Sequence, residues 1–101
     1  GIAHITGGGI AGNLVRILPS GCAAVVDPAS WPMPPLFAYL QQAGRVSTEE
    51  MRDVFNLGIG LVVALPCDVE ADVRAAAEIA GVPTWRIGHV ESGVPSVRFA
   101  D

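Results

Sequence analysis

Residues 3–18 read AHITGGGIAGNLVRIL, and how this stretch is parsed decides the fold. The run "IAHIT" (2–6) alternates in polarity and favours a strand, whereas Ile10, Leu14 and Ile17 recur at helical spacing. Gly7, Gly8 and Gly9 join the two, so the opening motif is strand, glycine turn, helix. Three side-chain-free positions permit positive φ and close approach of another group, at an entropic cost an ordinary helix start does not require. Two uses fit. The free N–H groups of a helix start, with the positive dipole end, suit a phosphate oxygen. Equally, the glycines serve a tight turn packed closely on a sheet. Thr6 and Asn13 either bind a ligand or hydrogen-bond the helix start locally. His4 is either a satisfied structural histidine or a group that contacts substrate and transfers a proton.

Working outward, Pro19 and Gly21 end the first helix, and "CAAVVD" (22–27) forms a compact apolar strand closed by "DPAS". "WPMPPLFAYLQQAG" places prolines where a helix start tolerates them and Gly44 as its C′ residue. A helix over 34–43 follows, with Leu36, Phe37 and Leu40 facing the core. "STEE" (47–50) is a capping box opening a helix that runs to Phe55, Ser47 and Glu50 exchanging bonds. "LGIGLVVALP" (57–66) is apolar on both faces, as expected of a central strand, and Pro66 stops it. Asn56, Gly58 and Gly60 mark its entry, where missing side chains let a ligand or another backbone approach.

"DVEADVRAAAEIAG" (68–81) is the clearest helix, with acids in the first turn, an Ala/Val/Ile stripe and Gly81 after its end. "TWRIGHVE" (84–91) and "SVRF" (96–99) read as a closing hairpin across "SGVP". The order β-α-β-α-α-β-α-β-β predicts an α+β fold with helices packed on a mixed β-sheet, in one domain over residues 1–101. The acids Glu49, Glu50, Asp68, Glu70 and Asp72 serve helix starts and solvation. No carboxylate pair recommends itself as a magnesium site. Trp31, Phe37 and Trp85 are core or interface residues, and His89 receives no role.

Composition narrows the function. Half of the 101 residues are hydrophobic and 16% are charged, so the chain folds around a core. A net charge of −4 without a basic stripe argues against a nucleic-acid binder. All six basic residues are arginines, so a phosphate-binding lysine, a Schiff base and a lysine general base are excluded within this chain. Cys22 and Cys67 lack ligand spacing and read as buried reduced thiols. No apolar run reaches membrane-spanning length and no basic segment followed by an apolar stretch marks a signal peptide, so a cytoplasmic enzyme or enzyme part is expected. The chain begins at Gly1 and enters a strand at once, as expected where further chain precedes it.

The ordered set "AHITGGG…N…R.LP", "SWP.P..F..L...G.VS.EEM…FN.GIG" and "IG.V" resembles the C-terminal domain of the phosphoribosylformylglycinamidine cyclo-ligase (aminoimidazole ribonucleotide synthetase) family over nearly the whole chain. Val15 stands where the family usually has proline, and Asp53 and Val54 where it has arginine before Thr-Phe-Asn. The resemblance implies an enzyme of purine biosynthesis that uses ATP and magnesium to close the imidazole ring of formylglycinamidine ribonucleotide. ATP would phosphorylate the formyl amide oxygen, an amidine nitrogen would attack, and phosphate would leave. It implies His4 as the catalytic residue, with Thr6, Gly7, Gly8, Gly9, Asn13, Asn56, Gly58 and Gly60 contacting substrate or phosphate. It further implies a homo-oligomer and an N-terminal domain carrying much of the ATP and metal binding. Alone, the chain is then expected to be inactive, to expose an unpaired sheet edge and an apolar patch, and to self-associate. The rival reading is a non-catalytic binding or assembly module that kept the fold.

Overall fold

In a computed structural model, which describes residues 1–100, five short strands and four helices form an α+β arrangement. Strand β1 (Ile2–His4) leads through the glycine turn into helix α1 (Gly9–Leu14), which tightens into a 3-10 turn over Val15–Ile17. Leu18 is extended, as the residue before Pro19 must be, and β2 (Cys22–Val26) follows. Helices α2 (Pro35–Gly44) and α3 (Thr48–Val54) come next, then β3 (Leu61–Val63). A 3-10 turn over Cys67–Val69 opens α4 (Glu70–Ile79), and β4 (Gly88–Ser92) and β5 (Val97–Phe99) close the chain.

The strands form two sheets rather than one. β1 and β3 pair antiparallel, with His4 opposite Leu61, and a second sheet has the order β4-β2-β5. β2 is therefore the central strand, antiparallel to β4 and parallel to β5. The sequence predicts that position for residues 57–66, and the structure corrects it. Leu61 and Val63 point outward, 56% and 45% exposed, and only Val62 of β3 is buried. Both runs are uninterruptedly apolar, but Ala24, Val25 and Val26 are the ones enclosed on both sides. The expected hairpin is also corrected: β2 lies between β4 and β5, so the segments nearest in sequence do not pair.

Eleven residues make the core: Ala3, Ile5, Ile10, Leu14, Ala24, Val26, Trp31, Met51, Leu57, Ile59 and Val62. Ile10 and Val26 are fully enclosed. The Ser47 half of the predicted capping box opens α3, the Glu50 amide donating to Ser47 Oγ at 3.1 Å. α2 departs from expectation at both levels. Only Phe37 packs against the core, while Leu36 and Leu40 are exposed. Its left-handed terminal residue is Arg45 (φ 52°) and not Gly44, with the Val46 amide donating to the Gln41 carbonyl at 3.0 Å. The helix runs one residue further than glycine-at-C′ reasoning predicts.

α4 ends as predicted, at left-handed Gly81. Its apolar stripe, however, covers nothing: no residue of α4 is buried. Side chains on one edge hold it instead. Arg74 donates through Nε to Thr84 Oγ1 at 3.1 Å and through Nη2 to the Thr84 carbonyl, while Glu70 faces Arg74 and Arg86. Both cysteines are free. Cys22 is half-buried, but Cys67 is exposed, contrary to the reading of two buried thiols, because its 3-10 turn lies outside the core.

Candidate functional site

The two glycine-marked segments lie about fifty residues apart in sequence and side by side in space. His4 faces Leu61 across the β1–β3 ladder, and the Ile5 amide donates to the Gly60 carbonyl at 2.9 Å. This bond extends the antiparallel β1–β3 ribbon by one residue; beyond it stand Thr6 on one segment and the turn from Asn56 to Ile59 on the other.

The three glycines differ in what they require. Gly8 has φ 100° and Gly9 φ 70°, a region that side chains with a Cβ enter at a cost of roughly 1–2 kcal/mol. A Cβ on Gly9 would also run into the Arg52 carbonyl, so this glycine lets α1 pack against the end of α3. Gly7 has ordinary φ, and a Cβ there would meet nothing within 4 Å. Two of the three glycines thus serve the turn and its packing, and the third faces open space.

Asn13 holds the turn together. It is the buried polar residue of the described chain, 5% exposed, and its Nδ2 donates to the carbonyls of Gly9 at 2.8 Å, Thr6 at 3.2 Å and Gly7 at 3.4 Å. Its Oδ1 accepts from the Thr6 hydroxyl at 3.2 Å. These bonds turn three loop carbonyls toward the interior. The structure places Asn13 beneath the loop, with its amide directed at the chain's own backbone.

The second segment is pinned in the same manner. Asn56 Oδ1 accepts from the Gly58 amide at 2.8 Å, and the Asn56 carbonyl accepts from Ile59. Gly58 has φ 99° and packs against Pro34, whereas Gly60, like Gly7, faces open space. Leu57, between Asn56 and Gly58, is buried yet left-handed (φ 56°), and its carbonyl accepts from Trp31 Nε1 at 3.1 Å. A non-glycine residue there stores of the order of 1–3 kcal/mol of strain, held by surrounding packing.

Thr6 and Asn56 meet at a hollow of about 210 Å³, lined also by Ile5, Phe37, Val54 and Phe55. Phe37 and Phe55 pack edge to face, ring centres 5.9 Å apart. No charged side chain lines the hollow, so what it offers is hydrogen-bonding groups and apolar contact. His4 is exposed on the outer face of β1 and is not among the lining residues. The sequence reading missed Ile5, Phe37, Val54 and Phe55 as wall residues; the Phe55-Asn56 step within "FN.GIG" was the available signal. A larger crevice of about 630 Å³ lies between α4 and residues 82–84. It contains none of the motif residues, and it exists because α4 stands away from the core. Among the described residues, no three acid, histidine or cysteine side chains gather as a metal site. No helix among them is long and apolar enough to cross a membrane.

The strand–glycine turn–helix unit and the second glycine-marked segment lie within a match over residues 1–99 to the AIR synthase related protein, C-terminal domain family, and the chain belongs to that family. Two curated relatives are more particular. The chain is 45% identical over 93 residues to the phosphoribosylformylglycinamidine cyclo-ligase of Bacillus pumilus (strain SAFR-032) and 44% identical to that of Bacillus subtilis (strain 168). Each match covers 92% of this chain and 27% of the relative, so the chain spans about a quarter of their length.

Proposed function

We propose that this chain forms one wall of the active site of an ATP-dependent cyclo-ligase that closes the imidazole ring of formylglycinamidine ribonucleotide, yielding aminoimidazole ribonucleotide, ADP and phosphate. The observation that carries this reading is the convergence of Thr6 and Asn56 at one hollow, built from the two motifs shared with the family. The nucleotide substrate meets the exposed Gly7 and Gly60 backbone and the Thr6 and Asn56 side chains. Asn13, Gly8, Gly9 and Gly58 hold those groups in place. His4, accessible beside the ribbon's end, moves a proton at the reacting amide or amidine.

ATP and magnesium enter the site through the remainder of the polypeptide. The described residues do not fit a magnesium site: the hollow lacks charge, and no three acid, histidine or cysteine side chains among them gather. This chain alone is then catalytically silent and works as part of a soluble cytoplasmic enzyme. The test is phosphate release from ATP, dependent on formylglycinamidine ribonucleotide, by this chain alone and with the remaining three quarters of the Bacillus subtilis relative. Activity confined to the mixture is expected, with His4→Ala lowering kcat by roughly 10²-fold or more, as loss of a general acid or base does. Activity of the chain alone contradicts the shared-wall reading, and silence of every mixture favours a non-catalytic assembly module.

A further inference from the structure

The hydrogen-bond polarity of the hollow at Thr6 and Asn56 is fixed by the chain itself. The end of the Asn13 amide that meets the carbonyls of Thr6, Gly7 and Gly9 must be its NH2, so the end facing Thr6 is oxygen. An amide oxygen only accepts, and the Thr6 hydroxyl therefore gives its proton to Asn13, at 3.2 Å. What Thr6 Oγ1 has left to offer is lone pairs. Asn56 is set the opposite way. The end of its amide that lies 2.8 Å from the Gly58 N–H must be oxygen, which leaves NH2 at the other end. That NH2 has no partner among the described residues, and since no buried side-chain N or O atom among them lacks one, it reaches accessible space. The hollow thus sets one acceptor and one donor beside the Phe37 and Phe55 rings.

Resting on the cyclo-ligase reading above, we infer that this pair recognises the formamide of the substrate, whose N–H donates to Thr6 Oγ1 and whose C=O accepts from Asn56 Nδ2. A neutral secondary amide carries one donor and one acceptor, and the two side chains complement both. The other polar groups of formylglycinamidine ribonucleotide match less well. A phosphate is anionic and chiefly an acceptor, so Thr6 opposes it and no charged side chain of the hollow offsets it. The wall amides do not serve it either, because those of Ile5, Phe37 and Phe55 already donate to the carbonyls of Gly60, Pro34 and Met51. An amidinium is cationic and donor-only, so the Asn56 NH2 opposes it. Ribose hydroxyls donate or accept as needed and draw no advantage from a fixed polarity. A fixed donor and acceptor discriminate best for a group whose own donor and acceptor are fixed.

The test is a set of NMR titrations of this chain, read at the Thr6 amide and the Asn56 side-chain NH2, with formylglycinamidine ribonucleotide, N-methylformamide, inorganic phosphate and ribose. The ribonucleotide and N-methylformamide should move both signals, and phosphate and ribose should move neither. Thr6→Val removes the acceptor at nearly constant shape, and Asn56→Asp keeps the oxygen that accepts from Gly58 while replacing the donor with a carboxylate. Each should weaken ribonucleotide binding by about fivefold or more, whereas Thr6→Ser, which keeps the hydroxyl, should stay within about twofold. Unchanged affinity in either Thr6→Val or Asn56→Asp would overturn the inference while leaving the cyclo-ligase reading in place. So would movement of both signals by phosphate or ribose, which would assign the hollow to that part of the nucleotide. If the ribonucleotide leaves both motifs unmoved, the cyclo-ligase reading fails and N-methylformamide decides: shifts that vanish in Thr6→Val uphold the donor–acceptor pair, and their absence in the unsubstituted chain overturns it.

Discussion

The segment before Pro66 and the segment after it solve the same problem differently. In residues 1–65, apolar side chains from β1, α1, α3 and β3 enclose one another, and side-chain amides tie the two glycine turns. In residues 67–100, α4 presents an amphipathic pattern of good quality and buries none of it, being held by an arginine clasp to Thr84. The contrast teaches that amphipathicity specifies a helix without specifying what covers it. It also separates the glycine-turn core, whose geometry is internally determined, from α4, whose apolar stripe is left open.

Matched substitutions in the two regions test this difference. Ile10→Ala should be the most costly, of the order of 2–5 kcal/mol, because Ile10 is fully enclosed. Ile79→Ala, at 90% exposure, should change the unfolding midpoint in urea by no more than about 0.5 kcal/mol equivalent. Equal effects would abolish the distinction. Next, Gly9→Ala combines a left-handed backbone with a clash against Arg52 and should cost roughly 3 kcal/mol. Gly81→Ala shares the positive φ but meets open space, and about 1 kcal/mol is expected by thermal unfolding.

Asn13→Ala should cost about 1–3 kcal/mol by stranding carbonyls that its amide satisfies. Arg74→Ala removes an exposed clasp and should cost less than about 1 kcal/mol. The smallest effect carries the opposite sign. Arg45→Gly relieves a left-handed non-glycine residue and should raise stability by about 0.5–1 kcal/mol, unless the arginine side chain contributes more than its backbone costs.

Much of the site was legible because turn chemistry is local. Glycine runs and Asn-x-Gly announce special backbone, and the Ser47 cap and the Gly81 stop follow the same logic. Strand order was not legible for a physical reason. "CAAVV" and "LVV" are alike in composition, and only tertiary context places β2 at a sheet centre and β3 at an edge. The hairpin inference failed because adjacency in sequence favours pairing only when no third strand competes, and β2 does. Leu57 in the left-handed region carries no sequence signal of its own. For Asn13 the sequence left ligand contact and local hydrogen bonding open, and its place beneath the loop follows from three carbonyls that only the folded turn gathers.

Two hollows now compete for the ligand, one made by the motifs and one beneath α4. The most direct measurement is a titration of this chain with formylglycinamidine ribonucleotide, followed by ¹⁵N–¹H amide shifts. The account predicts perturbations concentrated at Thr6–Gly8 and Asn56–Gly60, with residues 67–84 unmoved. Perturbations centred on the α4 crevice, or none at either motif up to millimolar ligand, would contradict it.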